Sequence, residues 1–505
     1  MRRMILRAMI VGFGVGGPLM GCGDRDQASP TRPLDTIPPA AIADLVHWAS
    51  SDHSVTLAWS APGDDGAAGQ AAEYACRHAS SPVTEATWDT AVPASVPGDV
   101  VPGCAGARDR LTVTGLEGGA TYWFAVRTRD EAGNWSGVSN SASAVTERFR
   151  TWYVEPDGTG DAATIAIACT DSALPGDVVL LARGRYTWTN QGSEDPRYGM
   201  ITFFRDEAGF ILRGEAGAAE TIIDAQGRGR VFFFQGVTLD DNINTTFDGL
   251  TITGGDAYQS PLGEGDGGGV EIHVCSPTFK NCIFRGNRAR YGGGLGQVGV
   301  GSPIVIDCVF EDNEAEVGAG IGLYTYTSFP EVRGCVLRHN TASRVGGGLY
   351  AGHVTLTMTD CLVHDNSAAD KGGGIYLAEI GAGSAIEGCT LVRNVAETGG
   401  HLRIAESAQV TVDRSILAFA GLGGAIQAIA VDALSVGCCD VYGNVGGDDL
   451  PANCVDLGDN FALDPQFCDA SADDFALAPD SPCAPAAAPY GLSCGLIGAL
   501  AASCR

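Results

Sequence analysis

The sequence is poor in positive charge. It has 31 lysines and arginines against 60 aspartates and glutamates, which gives a formal net charge of -29 over 505 residues. Such a chain is repelled by nucleic-acid phosphates and by anionic membrane surfaces, so the charge balance argues against both as partners. Acidity keeps an exported protein soluble. It also permits Ca²⁺ as a ligand without requiring it, and no other cofactor is indicated.

Motifs of the common catalytic sites are absent as well. The chain has no phosphate-binding loop, no Ser, His and Asp in the order of a known triad, no zinc motif and no Arg-Gly-Asp. The sequence therefore predicts no metal site. It leaves enzymatic activity uncertain and favours a non-enzymatic role.

Long apolar runs at helical spacing are missing from the middle of the chain, where a short repeat stands instead. Each of five units has a cysteine, an asparagine five residues later, and then a glycine cluster; successive cysteines are 26, 27, 26 and 28 residues apart. The pairs are Cys282 with Asn287, Cys308 with Asn313, Cys335 with Asn340, Cys361 with Asn366, and Cys389 with Asn394. A fixed period made of short apolar alternations predicts a solenoid of β-coils.

Stacking these coils in parallel register, about 4.8 Å apart, places like residues on like. Phe284 then lies on Phe310 and Leu337, and each Asn amide can bond to the Asn of the next coil. The cysteines become a ladder of small buried apolar residues, with neither metal binding nor disulfides expected there. In contrast, the cysteines from 438 to 504 cluster near the C-terminus, where bridging is expected in an oxidising compartment.

These repeats resemble the right-handed parallel β-helix superfamily, the pectin-lyase-like fold. Asn340-Thr341-Ala342, followed by Gly-Gly-Gly-Leu at 346–349, is similar to repeats of chlamydial polymorphic outer-membrane proteins and related bacterial adhesins. The resemblance implies an all-β chain with a single-stranded right-handed β-helix over 151–505. A short helix at 162–172 would cap its start, and a cysteine-containing cap from about 450 to 505 would close its end.

The first 22 residues carry an export signal. A basic start and a short apolar core precede Leu19-Met20-Gly21-Cys22. This motif resembles a bacterial lipobox, although Met20 replaces the usual small residue. The resemblance implies acylation of Cys22 and attachment to the outer membrane of a Gram-negative bacterium by that lipid alone. Residues 23–37, polar and proline-containing, are predicted to be a tether.

Residues 38–147 show the short alternating strands and turn clusters of a β-sandwich. Leu57-Ala58-Trp59, the stretch around Tyr122 and the Asp-Glu-Ala-Gly-Asn-Trp-Ser of 130–136 resemble a fibronectin type III domain. The resemblance implies that Trp59 is in the core and Tyr122 is a corner tyrosine. Cys76 and Cys104 could form a disulfide, which the family does not require. A spacer is the expected role.

Charged residues beside the asparagines are the only candidates for a catalytic site. Resemblance to polysaccharide lyases of this fold implies that Asp312 and Asp365 would hold Ca²⁺ against an acidic sugar, and that Arg338 or Arg393 would remove a proton. The signs of these charges alternate from coil to coil, so pairing on a solvated face is the favoured interpretation. The catalytic elements of a polygalacturonase-like glycoside hydrolase are matched only weakly, at 240–241 and 400–404.

The sequence thus predicts an exported surface lipoprotein. Its solenoid would serve adhesion or polysaccharide binding, with an extracellular polysaccharide or a cell-surface protein as partner. The alternative is a Ca²⁺-dependent polysaccharide lyase or a glycoside hydrolase of the pectin-lyase-like superfamily. A purely structural role in the envelope is a third hypothesis.

Overall fold

The computed structural model describes residues 35–504, apart from 97–99, 192–197, 205–208, 237–244, 260–264, 326–327, 407 and 486–493. The predicted export signal, Cys22 and most of the tether lie outside the described residues. The chain divides into two compact units, and the boundary along the sequence lies between Phe149 and Arg150. None of the helices in the described ranges is long and apolar enough to cross a membrane.

The first unit consists of two antiparallel sheets. Alternation within the strand at 54–60 places Val55, Leu57 and Trp59 inside, where they pack with Phe124. The backbone N–H of Glu117 donates to the Tyr122 hydroxyl at 2.9 Å, which ties the strand that contains Tyr122 to the turn before it. The three-stranded sheet contains Val46–Ser50, Ser54–Ser60 and Arg108–Thr114, and the four-stranded sheet Val92–Pro93, Glu73–Ala79, Thr121–Arg129 and Ala142–Val145; a 3₁₀ turn spans Trp88–Thr90.

The disulfide between Cys76 and Cys104 is not formed. Cys76 is a free thiol buried in the core of the first unit. Burial raises the pKa of this thiol to about 12. The bridge that the sequence allowed is not made, because packing alone satisfies the alternating pattern that buries Cys76.

The second unit is a parallel β-helix with three long sheets. The ten-stranded sheet contains Gly184–Thr187, Thr221–Asp224, Thr251–Thr253, Ile283–Arg285, Val309–Glu311, Val336–Arg338, Leu362–His364, Thr390–Val392, Ile416–Ala418 and Asp440–Tyr442. The nine-stranded sheet contains Ile201–Phe204, Phe232–Gln235, Val270–His273, Leu295–Val298, Ile321–Tyr324, Leu349–Gly352, Ile375–Ala378, Leu402–Ala405 and Ile426–Ile429. The twelve-stranded sheet contains Thr151–Val154, Val178–Leu181, Ile211–Gly214, Thr246–Asp248, Thr278–Lys280, Ile304–Ile306, Glu331–Arg333, Thr357–Thr359, Ser384–Glu387, Gln409–Asp413, Ala433–Gly437 and Val455–Gly458.

A fourth, short parallel sheet forms a ridge between the ten-stranded and nine-stranded sheets. We call it the ridge; its strands are Glu314–Val317, Thr341–Val345 and Ser367–Ala368. Single bridges extend its alignment, so that Asp266, Tyr291, Val317, Val345 and Lys371 occupy matching positions on successive coils. Buried alanines at 315, 319, 342, 368 and 396 pack beneath it.

Tight turns with left-handed backbone join the twelve-stranded sheet to the ten-stranded sheet. Asn281, Asp307 and Asp360 have φ of 51°, 51° and 54° at matching positions. Asn, Asp and Gly tolerate this conformation better than other residues. The next residue is the repeat cysteine, whose side chain the turn directs into the core.

The asparagines form a continuous ladder inside the β-helix. Asn340 Nδ2 donates to Phe310 O and to Asn366 Oδ1, both at 2.9 Å. The same two bonds recur at Asn287, Asn313 and Asn366. Each side-chain amide donates one hydrogen bond to a backbone carbonyl and one to the next asparagine of the ladder. These bonds satisfy buried polar groups that no water can reach.

The cysteine and aromatic ladders lie beside it. All five repeat cysteines are free thiols and fully buried. Phe284 and Phe310 stack with their ring centroids 4.3 Å apart. Ser415 continues the cysteine row, since its Oγ accepts from Cys389 N at 3.1 Å.

The helical segments described in the second unit are short. The predicted helix at 162–172 is present as a π-helical turn, Ile167–Ser172, with Ala168 and Cys169 buried in the core. The remaining helical turns are Trp188–Gln191, Ala257–Gln259 and Ala470–Ala472.

Only part of the predicted C-terminal cap closes the end of the β-helix. Leu450 and Cys454 pack against the main core there. Residues 465–485 and 494–504, here called the C-terminal segment, lie instead on the outer face of the ten-stranded sheet. Their antiparallel strands are Phe467–Asp469 and Asp474–Leu477. Two disulfides hold the segment, Cys438–Cys494 and Cys468–Cys504. The outward apolar side chains of Val336, Leu362 and Val392 explain this packing, since Phe467 and Phe475 cover them.

Candidate functional site

A groove runs along the outer face of the nine-stranded sheet, beside the ridge. Its volume is about 650 Å³. It crosses six coils, from that of Asp266 to that of Glu406, a length of about 24 Å at the spacing of parallel strands. We call it the tyrosine groove; it is lined by Asp266, Tyr291, Val298, Val317, Tyr324, Arg344, Val345, Tyr350, Lys371, Tyr376, Ala378 and Glu406.

Outward-facing glycines make room for the groove. Gly296, Gly322, Tyr350 and Tyr376 are aligned across four consecutive strands of the nine-stranded sheet. A Cβ added at Gly322 would lie 2.9 Å from Tyr291 Cε1, and one added at Gly352 would lie 2.8 Å from Tyr350 Oη. The tyrosine rings therefore lie close to bare backbone, a contact that a side chain at either position would prevent.

Four tyrosines form a connected set of edge-to-face contacts. Tyr350 contacts Tyr291 at 5.8 Å and Tyr376 at 5.5 Å between ring centroids, and Tyr291 contacts Tyr324 at 6.4 Å. Tyr324 is the most open of them, with 39% of its surface exposed. Aromatic rings with a polar tip combine apolar area and hydrogen bonding at low entropic cost, which suits them to ligand contact.

The tyrosine hydroxyls stay protonated. Burial raises the pKa of Tyr291, Tyr350 and Tyr376; neighbouring tyrosines and acids add to this effect, whereas Arg403 opposes it at Tyr376. A protonated hydroxyl both donates and accepts hydrogen bonds. The groove therefore offers neutral hydroxyls rather than phenolates to a ligand.

Two exposed cations stand on the ridge side of the groove. Arg344 and Lys371 are exposed, and no ion pair joins either to another residue of the described ranges. Several arginines elsewhere on the β-helix are paired across coils, for example Arg213 with Asp248 at 3.0 Å and Arg338 with Glu311 at 2.5 Å. The lining also contains the carboxylates of Asp266 and Glu406, so the charged side chains of the groove sum to zero in a chain with a net charge of -29.

One end of the groove lies next to Arg403. This side chain follows Tyr376 in the outward row, is 6% exposed, and donates from Nη1 to Gln427 Oε1 at 2.5 Å. Its Nε is buried without a hydrogen-bond partner in the described structure. Burial lowers the pKa of Arg403, but a guanidinium stays charged at any physiological pH.

The lyase candidates lie on a different face. Asp312, Arg338, Asp365 and Arg393 follow one another on consecutive coils at the outer edge of the ten-stranded sheet. Arg393 donates to Asp365 at 2.8 Å and also pairs with Asp473 of the C-terminal segment. Arg338 is taken up by Glu311. Asp312 is exposed and lies two coils, about 10 Å, from Asp365.

Asp365 is a carboxylate already saturated by its neighbours. Burial alone would raise its pKa, but hydrogen bonds from His364 and Arg393 outweigh burial and hold the pKa well below its usual range. A saturated carboxylate has no lone pairs directed at Ca²⁺, and a guanidinium paired with two acids is a poor base. The pairing that the alternating signs predict is present. The face is not solvated there, because Phe475 packs on His364 at 4.9 Å between ring centroids.

The segment 400–404, which weakly matches a hydrolase motif, has a structural role. His401 is fully buried, its Nε2 is 2.9 Å from Ala418 O, and its Nδ1 is 3.1 Å from Asn394 Nδ2, where it ends the asparagine ladder. Burial lowers its pKa to about 4, so it is neutral. The carboxylates at 240–241 lie outside the described residues.

Among the residues that the structure describes, three groups of side chains are close enough to share a cation. Cys438, Asp459 and Cys494 include a disulfide, and His339, Asp365 and Asp473 surround the paired Arg393. The third group, Asp35, Asp64 and Glu131, lies in the first unit. Burial, followed by the hydrogen bond with Glu131, raises the pKa of Asp64 to about 7. No metal site is assigned to any of them.

Sequence reasoning missed the groove. The spacing within the repeat could have revealed it. Tyr350 and Tyr376 each stand four residues after the first glycine of their cluster, and so do Gly322 and Arg403. Tyr291 and Lys371 precede their clusters in the same way, on the ridge. The prediction considered only the row beside the asparagines.

Comparison with known proteins agrees with this fold. A family model described as the right-handed β-helix region matches residues 230–391. The second unit is therefore a right-handed parallel β-helix, and the predicted fold is confirmed for this part of the chain. No curated protein matches the chain.

Several solved structures resemble parts of the chain. A family 28 exopolygalacturonase of Yersinia enterocolitica is 13% identical, over 84% of this chain and 98% of that one, with a TM-score of 0.20. Pectate lyase Pel3 of Pectobacterium carotovorum is 12% identical over 83% and 90%, with a TM-score of 0.14. Domains FN1-FN3 of chicken CNTN1 are 20% identical over 24% of this chain and 36% of that one, with a TM-score of 0.18. At these TM-scores the likenesses carry no argument about activity.

Proposed function

We propose that this protein, a right-handed β-helix with a tyrosine-lined groove, binds an extracellular acidic polysaccharide in that groove. One observation carries the proposal: four tyrosines and two unpaired cations line the same groove. Tyrosine rings pack on the apolar faces of sugars while their hydroxyls bond to sugar oxygens. Arg344 and Lys371 attract the carboxylates or sulfates of the polymer.

The shape of the groove supports a polymer rather than a small molecule. It runs along the solenoid axis across successive coils, whereas a small-molecule pocket is closed on most sides. A chain of sugars can lie along it and meet one coil after another. Retention on a surface polysaccharide is what an adhesin requires, so binding and adhesion are two descriptions of one role.

Attachment to the outer membrane by a lipid on Cys22 is part of the proposal. The motif at 19–22 supports it, and the first unit, with its three-stranded and four-stranded sheets, suits a fibronectin type III spacer. Labelling of expressing cells with a clickable fatty acid tests the anchor. The full-length protein should be labelled and Cys22→Ser should not.

Binding is tested by affinity electrophoresis of the full-length protein through gels that contain acidic or neutral polysaccharides. Retardation by acidic polymers, weakened by salt, is expected because ionic contacts are screened. Replacing both Tyr350 and Tyr376 by alanine should abolish it. Lys371→Gln should weaken it about tenfold, since a charge-assisted contact is lost.

Lys280→Gln is the matched control, because Lys280 is the only other lysine and lies on the twelve-stranded sheet. Equal loss with both lysine variants would mean that net charge, and not the groove, holds the polymer. Retention by no polysaccharide would refute the proposal. Release of unsaturated sugars during the same incubation would identify a lyase, the alternative that the sequence left open.

A further inference from the structure

The hydroxyl of Tyr291 is a buried polar group without a partner. Its oxygen is shielded from solvent, and no residue in the described part of the chain hydrogen-bonds to it. Buried polar atoms are nearly always hydrogen-bonded, because an unmade bond in a dry environment costs stability. A ligand oxygen that reaches this hydroxyl would supply the missing bond.

The position of this hydroxyl is inside the tyrosine groove. Tyr291 stands on the ridge row, and its ring contacts Tyr324 and Tyr350 edge to face. The ionisable groups that act on its hydroxyl are Tyr350, Asp266 and Tyr324, all of which line the groove. Because burial keeps the hydroxyl protonated, it is available as a donor.

We propose that Tyr291 Oη donates a hydrogen bond to an oxygen of the sugar bound in the groove and so determines which polymers are accepted. The inference rests on the proposed function. The Tyr324 ring packs edge to face on the Tyr291 ring and is 39% exposed, and exposed side chains change rotamer on a timescale of picoseconds to nanoseconds. The arriving sugar displaces the Tyr324 ring and takes its place over Tyr291.

A donor that is already dry binds more selectively than a hydrated one. The free protein has lost the bond from this hydroxyl to water, so the bond to the ligand is gained without a further desolvation cost at that atom. A sugar that lacks an acceptor at this point leaves the hydroxyl unpaired and is rejected, as happens in sites built to hydrogen-bond their substrate.

Tyr291→Phe removes this one oxygen and keeps the ring. The full-length variant should bind the retained polysaccharide about tenfold more weakly, as expected for one lost hydrogen bond. Its Tm should stay the same or rise by about 1–2 °C, because an unsatisfied buried group has been removed. Tyr153→Phe is the control, since Tyr153 is 51% exposed in the same unit, and it should change neither quantity.

The outcomes separate two failures. If Tyr291→Phe binds like the wild type while the Tyr350 and Tyr376 double variant does not bind, the groove is the site and the inference about Tyr291 is wrong. If Tyr291→Phe loses several degrees of Tm, the hydroxyl serves the fold and the inference is also wrong. If the wild type binds no polysaccharide, both proposals fall together.

Discussion

The asparagine ladder gives a sharp stability prediction, replacement of Asn340 by alanine. The side chain is completely buried and makes four hydrogen bonds. Its Oδ1 accepts from N and Nδ2 of Asn313 at 3.1 and 2.9 Å, and its Nδ2 donates to Phe310 O and Asn366 Oδ1 at 2.9 Å. At about 1 kcal/mol for each bond, the variant should lose about 4 kcal/mol.

The loss is a large part of the stability of a typical domain, about 5–15 kcal/mol. It is measured by urea denaturation at constant slope and by hydrogen exchange at the Asn313 amide, which loses its acceptor. Ser343→Ala is the control, because Ser343 is an exposed residue of the same coil and should cost less than 0.5 kcal/mol.

Asn340→Asp distinguishes hydrogen bonding from packing. Aspartate matches the shape of asparagine, but its second oxygen would face Phe310 O and Asn366 Oδ1, which are both acceptors. The aspartate variant should therefore be less stable at neutral pH than the alanine variant. If the aspartate variant is as stable as the wild type, the ladder is held by shape alone and the reasoning is wrong.

Three further predictions concern titratable and sulfur groups. Burial raises the pKa of Asp440 to about 7. Its favourable contribution is thus complete below about pH 4 and is lost as pH rises through 7, and Asp440→Asn should flatten this part of a Tm-against-pH curve. Burial also raises the pKa of the thiols of Cys308 and Cys361, so an alkylating reagent should modify them only in urea; modification of the native protein would show that the ladder opens. Replacing Cys468 and Cys504 by serine opens a loop with a sequence separation of 36 and should lower the free energy of unfolding by about 4 kcal/mol. We expect faster proteolysis of the C-terminal segment, while the rest of the β-helix resists the protease. Unchanged proteolysis would contradict this prediction.

The β-helix could be predicted from the sequence because its period is a physical constraint. Each coil must place Asn, Cys and an aromatic or aliphatic residue over their counterparts, so a count along the chain gives the contacts across it. Phe284 on Phe310 and Asn313 on Asn340 follow from that count. The first unit has no such period, and the packing of Cys76 could not be inferred from spacing.

The position of the C-terminal segment could not be predicted for a related reason. A sequence indicates that the end of a solenoid needs cover, but the covering residues are not part of the repeat. Val336 and Leu362 are neighbours in one outward row, which continues with Thr390, and Val392 lies in the next outward row, after Arg338 and His364. Only the folded coils show that they form one stripe, wide enough for Phe475 and Phe467.

The groove arises where the repetition is broken. A strictly repeated coil presents the same side chain at every step of a row, and such a row is a flat surface with no place that differs from the next. In the outward row of the nine-stranded sheet the residues change from glycine at 296 and 322 to tyrosine at 350 and 376 and then to Arg403. On the ridge the matching positions change from Tyr291 to Lys371. The absence of side chains on the first coils leaves the space, and the aromatic and cationic residues of the later coils give it chemistry. The constant core provides rigidity, so a ligand that spans several coils meets groups whose spacing is fixed by the hydrogen bonds between strands. A solenoid can therefore acquire a binding site through changes at outward positions alone, without any change in the ladders that hold it together.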